Sequence, residues 1–172
     1  MQEKLEMYHY LAQKTHDVIM GSDIVNVEKL KQMAGFNGEY IIADLVNGQV
    51  VSREFDVFSI DGAELSNGVV IKPGDRIEVK TCVIQTKGQC KAYSLGGKEE
   101  HCDFVALVDM TNSNPDNIRI SVIPCDVFFE EGQFTEVKGV PERFSWNGSY
   151  ENKKAGSNRT INTNLFLEYE VK

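Results

Sequence analysis

Two stretches of this chain, "CDFVALVDM" and "IRISVIPCDVFF", are apolar at nearly every position. A strand with one wet face alternates polar and apolar residues, so runs of this kind suit strands buried on both faces. They close a β-rich segment that begins after Gly48 and also holds "QVVSREFDVFSI", "DRIEVKTCVI" and "CKAYSLG". Turn signals separate these strands, among them Asp61-Gly62, Asn67-Gly68, Pro73-Gly74-Asp75 and Gly96-Gly97. Before Gly48 the period is different. Leu5, Tyr8, Leu11, Ala12, Thr15, Val18 and Ile19 fall at three- and four-residue steps and predict an amphipathic helix ended by Gly21 and Ser22. A second helix is expected from Val27 to Ala34, stopped by Gly35. "FNGEYIIADLVNG" reads as a third, with Asn37 as its cap and Glu39 in its first turn.

The expected architecture is α/β, a central mixed sheet flanked by helices. At 172 residues the chain suits one domain. Its parts are a helical stretch over 1–48, a sheet over 49–131 and a weakly patterned remainder over 132–172, in which "LFLEYEVK" reads equally as strand or short helix.

Hydrophobic residues make up 41% and charged residues 26%, ordinary for a globular protein, and no apolar run is long enough for a membrane span. The first residues lack the basic and apolar regions of a secretory signal. Cys82, Cys90, Cys102 and Cys125 show no metal-binding spacing and are expected to be reduced, in keeping with a cytoplasmic location. His9, His16 and His101 share no motif.

The net charge of −8 argues against a polyanionic partner, since DNA affinity rests on cations that neutralise phosphates. Its distribution softens the objection. Lys87, Lys91 and Lys98 stand in a stretch without acids, and Arg143, Lys153, Lys154 and Arg159 stand against Glu151 alone.

Chemistry concentrates in "GDRIEVKTCVI". Strand side chains alternate, so Glu78, Lys80 and Cys82 share one face while Ile77, Val79 and Thr81 share the other. Two charged groups held on a central strand are costly unless partnered. A neighbouring strand that brings Asp56 beside Glu78 would create a hard oxygen site suited to Mg²⁺, and Lys80 would lie next to it. Asp61, in the following Asp-Gly turn, is the competing acid.

Asp56, an intervening hairpin and then Glu78-Val79-Lys80, preceded by helices and followed by "CDFVALVDM", resemble the PD-(D/E)xK nuclease superfamily, the restriction-endonuclease-like fold. The resemblance covers roughly 37–129, and Phe55 stands where the nominal motif has proline. It implies a Mg²⁺-dependent DNA endonuclease, with Mn²⁺ able to substitute. Asp56, Glu78 and the Val79 carbonyl would hold the metal, Lys80 would be the catalytic lysine, and Glu39 would match a helix glutamate placed beside that cluster. A stand-alone type II restriction-like or phage-borne enzyme is expected ahead of a junction resolvase or repair nuclease. Cutting both strands of a duplex with one site per chain favours a homodimer.

The plainer readings are a solvent-facing Glu78–Lys80 pair, Asp56 opposing Arg53, and Glu39 serving the helix N-terminus. At the level of the whole chain, the alternative is a nuclease-fold module that binds a partner without chemistry. Lys87, Lys91, Lys153, Lys154 and Arg159, with Trp146 and Tyr150 nearby in sequence, are the expected nucleic-acid contacts. Gln89 and Tyr93 carry a spacing used by some exonucleases but follow Lys80 too closely in a strand, and are set aside.

Overall fold

The computed structural model describes residues 27–51, 54–82, 90–94, 101–110, 118–132, 134–137, 140–147 and 163–172. The expected first helix, over 1–20, lies outside them. In chain order the elements are α1 (Val27–Leu45), β1 (Gly48–Val50), β2 (Val57–Ser59), β3 (Ala63–Glu64), β4 (Val70–Ile71), β5 (Arg76–Cys82), β6 (Cys90–Ser94), β7 (Phe104–Asp109), β8 (Arg119–Pro124), α2 (Cys125–Glu131), β9 (Phe134–Val137), β10 (Val140–Asn147), α3 (Thr163–Glu168) and β11 (Glu170–Val171). No helix among the described residues is long and apolar enough to cross a membrane.

The central sheet is six-stranded in the order β1-β2-β5-β7-β8-β11. It is mixed: β5 and β7 run parallel, with Glu78 opposite Val105 and Lys80 opposite Leu107, and the other neighbours are antiparallel. A parallel pair needs a crossover. Here β6 lies within it and joins a separate three-stranded sheet, β6-β10-β9. The five residues Val105–Asp109 are all buried, as the apolar run predicts. Alternate side chains of β7 serve two cores. Ala106 and Val108 pack with Ile77, Val79 and the α1 residues Ile41 and Ile42, whereas Val105 and Leu107 pack with Cys82, Phe128 of α2 and Phe166 of α3.

Three expectations need correction. The second and third helices are one 19-residue helix, α1, running through Gly35 and Asn37. Local propensity costs a helix about 1 kcal/mol per interior glycine, and burial of Ala34, Ile41, Ile42 and Ala43 against the sheet outweighs it. "QVVSREFDVFSI" is not one strand but the hairpin β1–β2, with Val50 opposite Val57. "IRISVIPCDVFF" divides at Pro124, whose φ of −53° and missing N–H end β8 and open α2, with Asp126 in the first turn of the helix.

"LFLEYEVK" supplies both alternatives, α3 and then β11, which adds to the sheet beside β8 through Glu170 opposite Ser121. Arg119 of β8 pins this addition, pairing with the Glu170 carboxylate through Nη2 at 2.6 Å and lying over the Phe166 ring at 5.9 Å. The weakly patterned tail therefore completes the fold. Three of the turn signals hold as well, with Gly62, Gly68 and Gly74 at positive φ, while Gly96-Gly97 lies outside the described residues.

Gly35 and Gly38 separate two kinds of helix glycine. A Cβ built on Gly35 meets nothing within 4 Å. Gly35→Ala is therefore expected to raise unfolding stability by about 0.5–1 kcal/mol through helix propensity, read as an upward shift of the urea midpoint.

Candidate active site

The antiparallel ladder between β2 and β5 pairs Val57 with Ile77 and goes no further toward the end of β5. Asp56 N–H still donates to the Ile77 carbonyl at 3.2 Å, but the Asp56 carbonyl turns back to accept from Val51 N–H at 2.9 Å. Among the described residues, no strand neighbours this edge of β5 beyond that point. The Asp56 side chain takes over: Oδ2 accepts from Val79 N–H at 2.8 Å. In a strand the N–H and C=O of one residue point to the same edge, so the Val79 carbonyl faces the Asp56 side as well.

Glu78 and Lys80 stand on one face of β5, as alternation requires. Lys80 Nζ donates to Glu78 Oε1 and lies 3.9 Å from Asp56 Oδ2. The Glu78 side chain is 0% exposed, while those of Lys80 and Asp56 are 26% and 24% exposed. The pair is thus sunk at one end and open at the other. A carboxylate at such depth costs several kcal/mol without compensation, and the ammonium supplies it. This excludes the plain reading of a solvent-facing pair.

Glu39 joins from α1. It lies in the middle of the helix and so does not serve an N-terminus. Burial first, then the negative charge of Asp56, push its carboxyl above the ordinary range; Lys80 opposes the shift and Glu78 adds to it. Four side chains from a helix, a strand junction and the next strand therefore act on one another.

A group that binds its proton more tightly in the folded chain favours folding below its unfolded pKa, and loses that contribution as pH rises through the folded value. Glu39→Gln is accordingly expected to melt at a higher temperature than the parent at neutral pH. The gap should close as pH falls below the carboxylate range, as read by thermal denaturation across pH.

The remaining expectations fare differently. Asp61 is exposed in the turn at the opposite end of β2, where its N–H donates to the Asn47 carbonyl, and it is not among the groups acting on Glu39. Cys82, Cys102 and Cys125 are buried and not disulfide-bonded. His101 sits 3.3 Å from the Glu54 carboxylate. Lys91 on β6 lies opposite Trp146 on β10 in register. Lys87, Gln89, Tyr150, Lys153, Lys154 and Arg159 lie outside the described residues.

Two supports escaped sequence reasoning. Asp103, just before β7, receives Arg76 Nε at 2.9 Å and Nη2 at 3.0 Å, and also its backbone N–H at 2.9 Å. This fork ties the start of β5 to the start of β7, two residues before Glu78. Its signal was an arginine opening the strand. Gly38 is the other: a Cβ there would stand 1.9 Å from Thr81 Oγ1, so its absence sets how closely α1, and with it Glu39, approaches β5.

The donor set suits a hard divalent cation. Mg²⁺ is ordinarily held by one or two carboxylates with water and phosphate oxygens, not by a full protein cage. Asp56 and Glu78 converge on the position of one cation, the Lys80 ammonium. Among the described residues no three His, Cys, Asp or Glu side chains form a ready-made metal group.

No protein-family model matches this sequence, and no curated protein matches it. Among solved structures the chain is similar to a bacterial homing endonuclease, I-Ssp6803I. Identity is 12% and the TM-score 0.45, over 83% of this chain and 85% of that one. A likeness at that distance transfers no residue, and the chemistry is carried by the side chains themselves.

Proposed function

We propose that the chain is a Mg²⁺-dependent DNA endonuclease with a PD-(D/E)xK-type site, restriction-like or phage-type. The observation that carries this reading is the position of Lys80 Nζ, in contact with Glu78 and 3.9 Å from Asp56, at the place where β2 leaves β5. Asp56, Glu78 and the Val79 carbonyl would hold Mg²⁺ or Mn²⁺, which supplies positive charge to the scissile phosphate as it becomes more negative in the transition state.

The chain's own groups have separate tasks. Val79 N–H fixes Asp56 through one oxygen and leaves the other for the cation. Lys80, its ammonium held by Glu78, orients the attacking water and offers its remaining proton donors to the phosphate. Glu39 closes the helix side of the site and can hold a proton there. DNA is the substrate in this reading, and a homodimer would bring one site to each strand.

The test is incubation of the purified protein with supercoiled plasmid and Mg²⁺, beside Asp56→Asn and Glu78→Gln. Nicking or linearisation that needs the metal and both carboxylates supports the proposal. The net charge of −8 favours a second reading, a module that binds a partner without chemistry. Absence of cleavage on varied DNA substrates, together with tight protein association, would select it.

A further inference from the structure

At the end of the sheet where β7 begins and β8 turns into α2, the thiols of Cys102 and Cys125 face each other at an Sγ–Sγ distance of 3.3 Å, 5% and 7% exposed. Neither belongs to the carboxylate cluster. The backbone beneath them is fixed, because Cys125 N–H donates to the Asp103 carbonyl at 2.9 Å and Asp103 holds Arg76. A disulfide needs the sulfurs at about 2.05 Å, so the pair has about an ångström left to close.

Cys102 and Cys125 are among the residues that line a cavity of about 600 Å³. Its charged lining includes Asp75, Asp126 and Glu130 against Lys72, while Asp103 is matched by Arg76. The opening therefore admits a small molecule and prefers a cation. The hydrogen bond with Cys125, burial, and the nearby carboxylates of Glu78 and Asp103 push the Cys102 thiol up, so attack on a disulfide proceeds from a small thiolate fraction and is slow.

We propose that Cys102 and Cys125 are a dithiol modification site that small cationic disulfides oxidise through this cavity. One thiol, as its thiolate, attacks a sulfur of the reagent R–S–S–R; the reagent's S–S bond breaks and one R–S⁻ leaves. The second thiolate attacks the mixed disulfide, forms the Cys102–Cys125 bond and expels the other R–S⁻. The two released thiolates take up the two protons, so the reagent is reduced by the two electrons that the protein loses. The product ties the start of β7 to the start of α2, beside the Arg76–Asp103 fork.

The test uses the full chain carrying Cys82→Ala and Cys90→Ser, so that only this pair remains, treated with cystamine or with anionic oxidised glutathione and read by intact mass after acid quench. The expected product is the unadducted chain lighter by two hydrogens. It should form about tenfold faster with cystamine than with oxidised glutathione at low salt, melt at a higher temperature, and revert with dithiothreitol. Cys102→Ser in the same background should give at most a persistent single adduct. The proposal is overturned by a lasting mixed disulfide in the two-thiol chain, by reaction only after unfolding, by covalent dimers as the main product, or by equal rates for the two reagents. None of these readouts depends on nuclease activity.

Discussion

If the carboxylate cluster is the proposed nuclease site, Lys80→Ala is expected to lower metal-dependent plasmid cleavage by about 10²–10⁴-fold, the range for removing a positioned proton-transfer or charge-stabilising group. The argument starts from burial. Glu78 is fully enclosed and its carboxylate is met by Lys80 Nζ, which also lies 3.9 Å from Asp56 Oδ2. Truncation removes both the group proposed to address the phosphate and an ammonium that compensates a buried charge. Loss of cutting alone would therefore not separate chemistry from folding. Lys80→Met combined with Glu78→Gln makes that separation, because removing both charges of a buried pair is often neutral for stability. That chain should melt near the parent and still fail to cut. Lys80→Arg tests the role further, since guanidinium keeps the charge but cannot release a proton. Positive charge alone is excluded as the role of Lys80 if the arginine variant is as inactive as alanine while its fold persists, and proton transfer is excluded if it cuts at the parent rate. Full activity in Lys80→Ala would remove the lysine from the site altogether.

The shared face of Glu78 and Lys80 could be read from the sequence because strand alternation is a local rule with a period of two residues. Asp56 was legible by one further step, the pairing of consecutive strands, and β2 does neighbour β5. The double burial of β7 and β8 was legible for the same reason: their apolar runs leave no face for water. What escaped depends on partners distant in sequence. Gly35 and Asn37 look like helix punctuation until the apolar face of α1 is laid on the sheet, where Ile41 and Ile42 hold the helix through them. Asn67 illustrates the point at longer range, since its side chain donates to the Tyr169 carbonyl across a separation of 102 residues. The placement of β11 beside β8 is likewise fixed by Arg119 reaching Glu170, and no periodicity in either segment announces it. The position of Glu39 required both kinds of information, a helix assigned locally and an approach distance set by Gly38.

Gly38→Ala should be the most damaging small substitution in α1, destabilising the chain by about 1–3 kcal/mol, the usual cost of overpacking. The added methyl would sit 1.9 Å from Thr81 Oγ1, 3.2 Å from its Cβ and 3.5 Å from its Cγ2. Thr81 has little room to give way, because a β-branched side chain on a strand is restricted at χ1. Either α1 lifts from β5 or the strand bends. Both movements carry Glu39 away from Asp56 and Lys80, so if the carboxylate cluster is the active site, cleavage should fall more than stability alone explains. Thr81→Ala supplies the decisive control. Thr81 Oγ1 is buried and has no hydrogen-bond partner among the described residues, so deleting it should be nearly neutral. In the double variant the closest clash is gone, and most of the lost stability should return as a coupling energy of about 1–2 kcal/mol in a double-mutant cycle read by urea denaturation. Gly35→Ala, three residues earlier on the same helix, should show no such coupling to Thr81. Equal damage from the two alanines, or no rescue by Thr81→Ala, would mean that the close approach of Gly38 to Thr81 does not govern the loss.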